Sequence, residues 1–376
     1  MSDRHVNIIS LDVPYPADYG GVMDIFYKIK WLHSAGIQVH LHCFSSGRPP
    51  RDELDQYCAS VHYYKRKSIW EALPLALPYM LASRHSDTLL KNLQQNNYPV
   101  LIEGIQCSYI LYKKLLPIRK IFLRLHNTEY MYYQKLAHYE NNFFKKLYYK
   151  NEARLLKKYE QQLAGLAPIL AISQSDIAVY KKRFGTTQIQ FLPAFTAWQQ
   201  MNTPVGKGGY CLYHGNLGIN ENQRAVEWLL ENVFSKTDIP FVVAGKRPTD
   251  ELIKKIAFHP NCRLIKNPEN SEMQKLVIAA QVNVLPSFNN TGVKLKLLNA
   301  LYNGRHCLVN RASIEGAQLD GSCVCADDAE TFLGETKKLF AAEFDDQQKQ
   351  QREQVLQATY HNEKNARELI HLLFEK

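Results

Sequence analysis

Zinc-type cysteine spacing is missing from this chain. Its eight cysteines are scattered, and the one close pair, Cys323 and Cys325, forms only a C-x-C inside an expected strand. Residues i and i+2 of a strand share a face, so packing explains that pair better than metal binding. No apolar run is long enough to span a bilayer. The best candidate, Ile69 to Ala82, is interrupted by Glu71, Pro74 and Pro78. No secretory signal opens the chain, because Met1-Ser2-Asp3-Arg4-His5 is polar and the apolar run behind it is a short strand. A cytosolic protein with reduced thiols is therefore expected. No G-x-G-x-x-G is present, so a dinucleotide fingerprint is not supported. No D-x-D pair stands at a strand end as a metal anchor. Asp327-Asp328 sits near an expected helix start, where capping is the simpler role. Internal repeats and low-complexity tracts are also missing, and the glutamines between 347 and 351 read as a solvated helix face.

What is present is a globular composition long enough for two cores. The chain has 376 residues, 45% apolar and 22% charged, which suits two domains of ordinary size. A net charge of +10 favours an acidic partner: a nucleotide, a nucleic acid or an anionic membrane surface.

Strands and glycine loops alternate with helices along the chain. His5–Val13 reads as a strand, Pro14–Gly21 as a loop and Val22–Ala35 as a helix, with Met23, Phe26, Ile29 and Leu32 at helical spacing. Gln38–Phe44 is the next strand. This order opens a parallel α/β sheet and puts Gly20-Gly21 at a strand's carboxyl end, where such sheets bind ligands. Val100–Gly104 places Glu103 at a second strand end. Ile121–Glu129 brings Arg124, His126, Asn127 and Glu129 to a third. Ile169–Asp176 enters a helix through a serine-rich cap, and Gln188–Pro193 closes the first domain. The stretch 194–209 breaks any period and reads as a linker. A second α/β series follows: Tyr210–Gly218, Ile239–Pro248, Cys262–Pro268, Val282–Pro286, His306–Asn310 and Ser322–Ala326, with helices closing the chain. The expected domains are 1–193, 210–355 and a last helix, 356–376, that packs back toward the first domain. Two such domains facing one another make a deep cleft, a preferred place for a small-molecule site.

One stretch carries the densest chemistry. The strand Val282–Pro286 runs through Asn289, Asn290, Thr291 and Gly292 into a helix expected over Val293–Tyr302 and stopped by Asn303-Gly304. Glycine allows close backbone approach to a ligand. Lys294 and Lys296 fall in the first turn, where a cation opposes the helix dipole. That pattern suits a phosphate or diphosphate.

Several motifs appear in a fixed order: Tyr213-His-Gly-Asn216, Ala244-Gly-Lys246, Leu285-Pro-Ser287 and Thr291–Leu301 with Gly304, after Gly20-Gly21, Arg124–Glu129 and Ala171–Asp176. The ordered set resembles the retaining family-4 (group 1) bacterial glycosyltransferases of the GT-B fold, over nearly the whole chain. The resemblance implies two Rossmann-like domains and transfer of a hexose from a UDP- or GDP-sugar to a glycan, glycolipid or lipid-linked acceptor. It implies that Gly20 and Gly21 approach the diphosphate and sugar, that His126 lies near the transferred sugar, and that Gly215, Asn216 and Lys246 hold nucleotide phosphates. The loop with Lys266, Asn267 and Pro268 resembles the wall for the base. Thr291, Gly292, Val293 and Lys294 resemble the loop side of the diphosphate site, and Asn299 takes the place of a ribose-binding glutamate. The family commonly has two glutamates at the positions of Thr291 and Asn299. Asn299 still donates and accepts hydrogen bonds; Thr291 lacks a carboxylate's two-pronged grip.

Such transfer needs a held diphosphate, a stabilised leaving-group charge and an aligned hydroxyl. Helix N-termini and lysines supply the first two without a metal. The catalytic candidates are His126, Lys294 and Glu103, with Glu129 and Asp12 as further carboxylates for positioning; no metal, no cofactor beyond the donor and no nucleic-acid partner are expected. Tyr130–Lys158 interleaves Tyr132, Tyr133, Phe143, Phe144, Tyr148 and Tyr149 with Lys145, Lys146, Lys150, Arg154, Lys157 and Lys158. That mixture fits a packed amphipathic helix, a peripheral contact with an anionic membrane surface or, least of the three, a nucleic acid. Two other functions stay open: a sugar-nucleotide epimerase on the same fold, and a non-catalytic nucleotide-binding protein.

Overall fold

Seven short apolar runs in the first half of the chain pair side by side as one parallel sheet. They are β1 (His5–Ser10), β2 (Gln38–Ser45), β3 (Ser60–Lys65), β4 (Val100–Glu103), β5 (Ile121–Leu125), β6 (Ile169–Ala171) and β7 (Ile189–Phe191), in the spatial order β3-β2-β1-β4-β5-β6-β7. The computed structural model describes residues 4–45, 47–72, 77–117, 119–140 and 142–375. The polar start at Met1–Asp3, and Pro74 in the interrupted apolar run, lie outside the described residues.

The chain forms two units, Met1–Ala197 with Tyr360–Lys376, and Trp198–Thr359. In the first, the strand order reverses between β1 and β4, so the carboxyl ends of those strands flank a topological switch point. The helix Gly20–Ser34 buries Val22, Ile25, Phe26, Ile29 and Leu32 on one stripe. The last helix, Asn362–Phe374, adds Ala366, Leu369 and Leu373 to the same apolar layer. Each of the Val, Ile, Leu and Phe side chains contributes about 1.5–3 kcal/mol when fully buried. A second layer on the sheet includes Ile102, Leu123, Leu125, Leu156 and Tyr159.

The second unit repeats the plan with β8 (Cys211–Asn216), β9 (Phe241–Lys246), β10 (Cys262–Lys266), β11 (Val282–Val284), β12 (His306–Val309) and β13 (Val324–Cys325), ordered β10-β9-β8-β11-β12-β13. Every strand pair in both sheets is parallel.

Local details depart from the sequence expectations. The first helix begins at Gly20, not Val22, because first-turn amides need no intrahelical partner and glycine is tolerated there. The helix expected from Val293 starts at Leu295 and runs to Asn303, after Gly292 takes a left-handed φ of 62°. Gly304 is not a left-handed stop: its φ is −98°. A Cβ there would strike Asn283 Nδ2 and meet the Ala300 carbonyl oxygen at 2.9 Å, so close packing is what demands glycine. Ser173 gives no side-chain cap to the helix Gln174–Phe184; its hydroxyl bonds Ser175 instead. Asp328 does cap, accepting from the Thr331 amide at 2.9 Å. Cys325 is exposed while Cys323 is half-buried, so packing accounts for only one of the C-x-C pair. Tyr130–Lys158 is two helices, Glu129–Tyr139 and Phe143–Leu163.

Candidate active site

In the first unit, β4 and β5 lie in register with Glu103 opposite Arg124. Asp24 and Lys28 come from the helix that follows β1, four residues apart on its buried face. The four charges and His126 interlock. Lys28 Nζ lies 3.0 Å from Asp24 Oδ2 and 2.5 Å from Glu103 Oε1. Arg124 donates through Nε and Nη2 to the two oxygens of Asp24, each at 3.2 Å. Its remaining donors reach the carbonyls of Leu192 and Pro193. Asp24 also accepts from the Phe195 amide at 2.7 Å. His126 Nε2 lies 2.9 Å from Glu103 Oε2 and 3.5 Å from Asp24 Oδ2.

Burial alone would raise the pKa of both carboxyls. The pull of Arg124, Lys28 and His126 wins for Asp24, which stays well below the usual carboxylate range. Lys28 and His126 do the same for Glu103. Ionised Glu103 can only accept, so the proton of the bond lies on His126 Nε2. Nδ1 is the nitrogen left for a ligand. It lies 3.9 Å from where a Cβ on Gly21 would sit, at the start of the Gly20–Ser34 helix. The Tyr19 ring would be 3.4 Å from the same Cβ. The sequence-chosen residues Gly20, Gly21, Glu103 and His126 therefore converge in this unit. Asp24, Glu103 and His126 offer three possible metal-ligand atoms within 4.8 Å of one another. Lys28 and Arg124 hold both oxygens of Asp24 and Oε1 of Glu103, so these contacts form an ion-pair network.

Glu129, next along, is buried and starts a helix. Burial pushes its carboxyl up to about 7, against the donors Asn127 and Gln106 that favour ionisation. Gln106 Nε2 donates to it at 3.0 Å. Glu160 caps the same helix, accepting from the Glu129 amide at 2.8 Å. Asp12 is held locally, by the Val13 amide at 2.9 Å and the Tyr19 hydroxyl at 3.1 Å.

In the second unit, register puts Gly215 beside Gly245, Asn216 beside Lys246, and Lys266 beside Gly245. A Cβ on Gly245 would collide with the Gly215 carbonyl, so only glycine lets these strand ends close up. Arg247 and Asn267 both adopt left-handed φ, 55° and 50°. The Arg247 amide bonds Asn267 Oδ1 at 2.8 Å, tying the two loops together. Gly215, Asn216, Lys246 and Asn267 thus share one sheet end.

The loop after β11 is fastened by its own side chains. Asn289 Oδ1 accepts from both the amide and the hydroxyl of Thr291, at 3.0 and 2.9 Å, which leaves Thr291 buried and turned inward. Val293 is half-buried, and Lys294, the residue before the helix, donates to the Thr291 carbonyl at 2.7 Å. Asn299 lies a turn into the helix and accepts from Asn303 Nδ2 at 2.9 Å. Lys296, which the sequence pairs with Lys294 in a phosphate-type pattern, reaches Tyr213 and Asn222 in the interior of the unit.

No protein-family model matches the chain. A protein of Klebsiella pneumoniae, described as an uncharacterized 44.6 kDa protein in the cps region, is 27% identical over 327 residues, 82% of this chain and 83% of that one. Among solved structures, sucrose-phosphate synthase from Thermosynechococcus elongatus is similar with a TM-score of 0.75 at 11% identity, covering 98% of both chains. WaaG, a glycosyltransferase involved in lipopolysaccharide biosynthesis, gives a TM-score of 0.61 at 14% identity, covering 99% of this chain and 100% of that one. Anabaena HepE, solved with UDP and glucose, gives 0.64 at 9% identity over 99% of both. The chain has the GT-B fold: two parallel-sheet, Rossmann-like domains of the kind found in these glycosyltransferases.

Proposed function

We propose that this protein is a glycosyltransferase that moves a hexose from a UDP- or GDP-sugar to a hydroxyl of a glycan or lipid-linked acceptor. The observation that carries the reading is the first unit's switch point. There Gly21 and His126 Nδ1 stand together, and a buried ion-pair network fixes the imidazole. The second unit supplies a glycine-built sheet end with Lys246, and a helix N-terminus with Lys294. Helix N-termini and cations can stabilise a developing diphosphate charge without a metal. The leaving phosphate can take the acceptor's proton, so retention of configuration needs no dedicated base. HepE, a protein of like fold, was solved with UDP and glucose, which supports a sugar nucleotide as the donor.

The acceptor side of the reading includes an anionic membrane surface. Phe143 is 71% exposed and Phe144 79% exposed, beside Lys145 and Lys150. Among the described residues no helix is long and apolar enough to cross a membrane, so contact at the inner face is peripheral in this reading.

Thermal-shift titration with UDP, GDP and their nucleosides, followed by hydrolysis of a UDP- and GDP-sugar panel, tests the proposal. Ligand binding to the folded state raises stability by mass action. The expected result is a diphosphate-dependent shift and slow release of free sugar. Isomerisation of the sugar without release points to an epimerase. Binding with neither reaction points to a non-catalytic protein.

A further inference from the structure

Two arginines of the first unit are drawn into the fold, and they are compensated differently. Arg124 is fully buried and has a carboxylate, Asp24, across two of its nitrogens. Arg84 is 8% exposed and has no ion pair among the described residues. Its Nε donates to the Leu11 carbonyl at 3.1 Å and its Nη1 to the Met80 carbonyl at 2.7 Å. A guanidinium has five N–H donors, and Nη2 meets no acceptor among the described residues. Burying a charge with neutral partners alone is costly. The carboxylates in electrostatic reach, Asp12 and Glu129, are held by other groups. Asp12 accepts from the Val13 amide and the Tyr19 hydroxyl, and Glu129 accepts from Gln106 and Asn127.

Arg84 stands beside the switch-point site. Leu11, whose carbonyl it holds, has Cδ2 3.8 Å from the place of a Cβ on Gly21, and His126 Nδ1 is 3.9 Å from that same place. A second cation follows along the sheet edge. Arg66 leaves the end of β3, and its Nε and Nη2 donate to the buried Ser83 hydroxyl at 3.3 and 3.1 Å, next to Arg84 in the chain. It is half-buried, forms no ion pair among the described residues and lies 5.7 Å from the centre of the Tyr79 ring. With Lys65 it walls a cavity of about 490 Å³ at the carboxyl ends of β2 and β3, lined also by Ser45, Tyr63 and Tyr64. That edge is where parallel α/β sheets take ligands. Arg66 is close enough to disfavour the charge on Arg84. Two neighbouring cations without a carboxylate, one of them buried, are completed by an anion.

We propose that Arg66 and Arg84 bind a phosphate or carboxylate carried by the acceptor, near the hydroxyl that receives the sugar. The assignment rests on the reading of the chain as a glycosyltransferase and narrows its acceptor to a charged one. The phosphate of a lipid-linked sugar and the carboxylate of an acidic glycan share this chemistry. Guanidinium groups suit both, because their planar fork of N–H donors matches two oxygens at once.

Isothermal titration with glucose 6-phosphate, glucuronate and glucose is the test, with the protein first saturated with UDP or GDP, whichever binds. Saturation keeps the probes off any site for the donor's diphosphate. At least one anionic sugar should bind about tenfold more tightly than glucose, the scale of a charge-assisted hydrogen bond. Tighter glucose 6-phosphate marks a phosphorylated acceptor, and tighter glucuronate an acidic glycan. Arg66→Gln and Arg84→Gln should each remove most of that preference and change UDP or GDP affinity less than about twofold, as for separate sites. If Arg84→Gln does not fold, the half-buried Arg66 decides alone through Arg66→Gln. Anionic sugars that bind no better than glucose overturn the assignment, and so does a preference that Arg66→Gln leaves unchanged. Either result leaves the transferase reading intact in a parent that binds a nucleoside diphosphate and hydrolyses its sugar donor. A parent that does neither overturns that reading, and this assignment with it.

Discussion

His126 Nε2 sits 2.9 Å from Glu103 Oε2, and this one bond decides which face of the imidazole a ligand can meet. The proton is committed to Nε2, so Nδ1 is presented beside Gly21. A group that aligns a sugar should matter more for turnover than for nucleotide affinity. His126→Ala should lower transfer or donor hydrolysis by roughly 10²-fold, within the range for a positioned side chain, and change UDP or GDP affinity less than threefold. Glu103→Gln should lower turnover less and move its pH profile, because the amide no longer fixes the imidazole's proton. Equal kcat in His126→Ala and parent would remove His126 from the chemistry.

Lys28 compensates two buried carboxylates, and its removal leaves Glu103 with His126 alone. Breaking a buried pair from one side costs about 3–5 kcal/mol. Lys28→Met should therefore lower urea stability by that order. Lys28→Met with Glu103→Gln should cost less than Lys28→Met alone, since the orphaned charge is gone. Simple additivity of the two single changes in a double-mutant cycle would mean that the pair is not coupled.

The strand-end positions of Glu103 and His126 were legible because apolar runs followed by polar clusters mark carboxyl ends of parallel strands. Asp24 and Lys28 were not. An acid and a lysine four residues apart on a helix read as a solvated pair, and only their burial and their bonds to Glu103 and Arg124 show otherwise. Strand β3 was missed as well, because Ser60–Lys65 is an edge strand without an apolar run, half-buried at Val61, His62 and Tyr63 and buried only at Tyr64. Gly304 was foreseen as a helix stop, but its reason is contact with Asn283, which is distant in sequence. Thr291 was chosen by its place in a motif, and the bond to Asn289 that turns it inward depends on loop geometry no spacing reveals.

Glu129 gives a pH-dependent stability with a definite sign. Burial raises its carboxyl from an ordinary value of 4.5 to about 7 in the folded state. Between those values the folded state binds a proton that the unfolded state has lost. The contribution of Glu129 to stability should therefore fall as pH rises from about 4.5 to 7 and level off above it. Glu129→Gln mimics the protonated form and keeps an oxygen for Gln106. It should be more stable than the parent at pH 8, by on the order of 1–3 kcal/mol, and nearly equal at pH 4. Chemical denaturation at the two pH values checks this; a variant that is less stable at pH 8 contradicts the assignment.

The helix Phe143–Leu163 has one face in the core and an opposite face that changes character along its length. Ala153, Leu156, Tyr159 and Leu163 are buried. On the outward side Phe143, Leu147, Lys150, Arg154 and Lys158 recur at helical spacing and are all exposed. Its first turns present Phe143, Phe144 and Leu147, the last 57% exposed, and its later turns are basic. An interfacial helix buries an apolar face at the acyl boundary and keeps its cations among anionic headgroups. Phe143→Ser with Phe144→Ser and Leu147→Gln should abolish co-sedimentation with phosphatidylglycerol vesicles. Replacing Lys145, Lys146, Lys157 and Lys158 with glutamine should weaken it by roughly 1 kcal/mol per residue near the surface. Both sets lie at exposed or half-buried positions, so urea stability should stay within about 0.5 kcal/mol of the parent for each change. Binding that is the same for phosphatidylcholine and phosphatidylglycerol would remove the charge from the account. Failure of the parent to sediment, together with a concentration-dependent rise in mass that the serine variants lose, would assign this face to a second copy of the chain instead of a lipid surface.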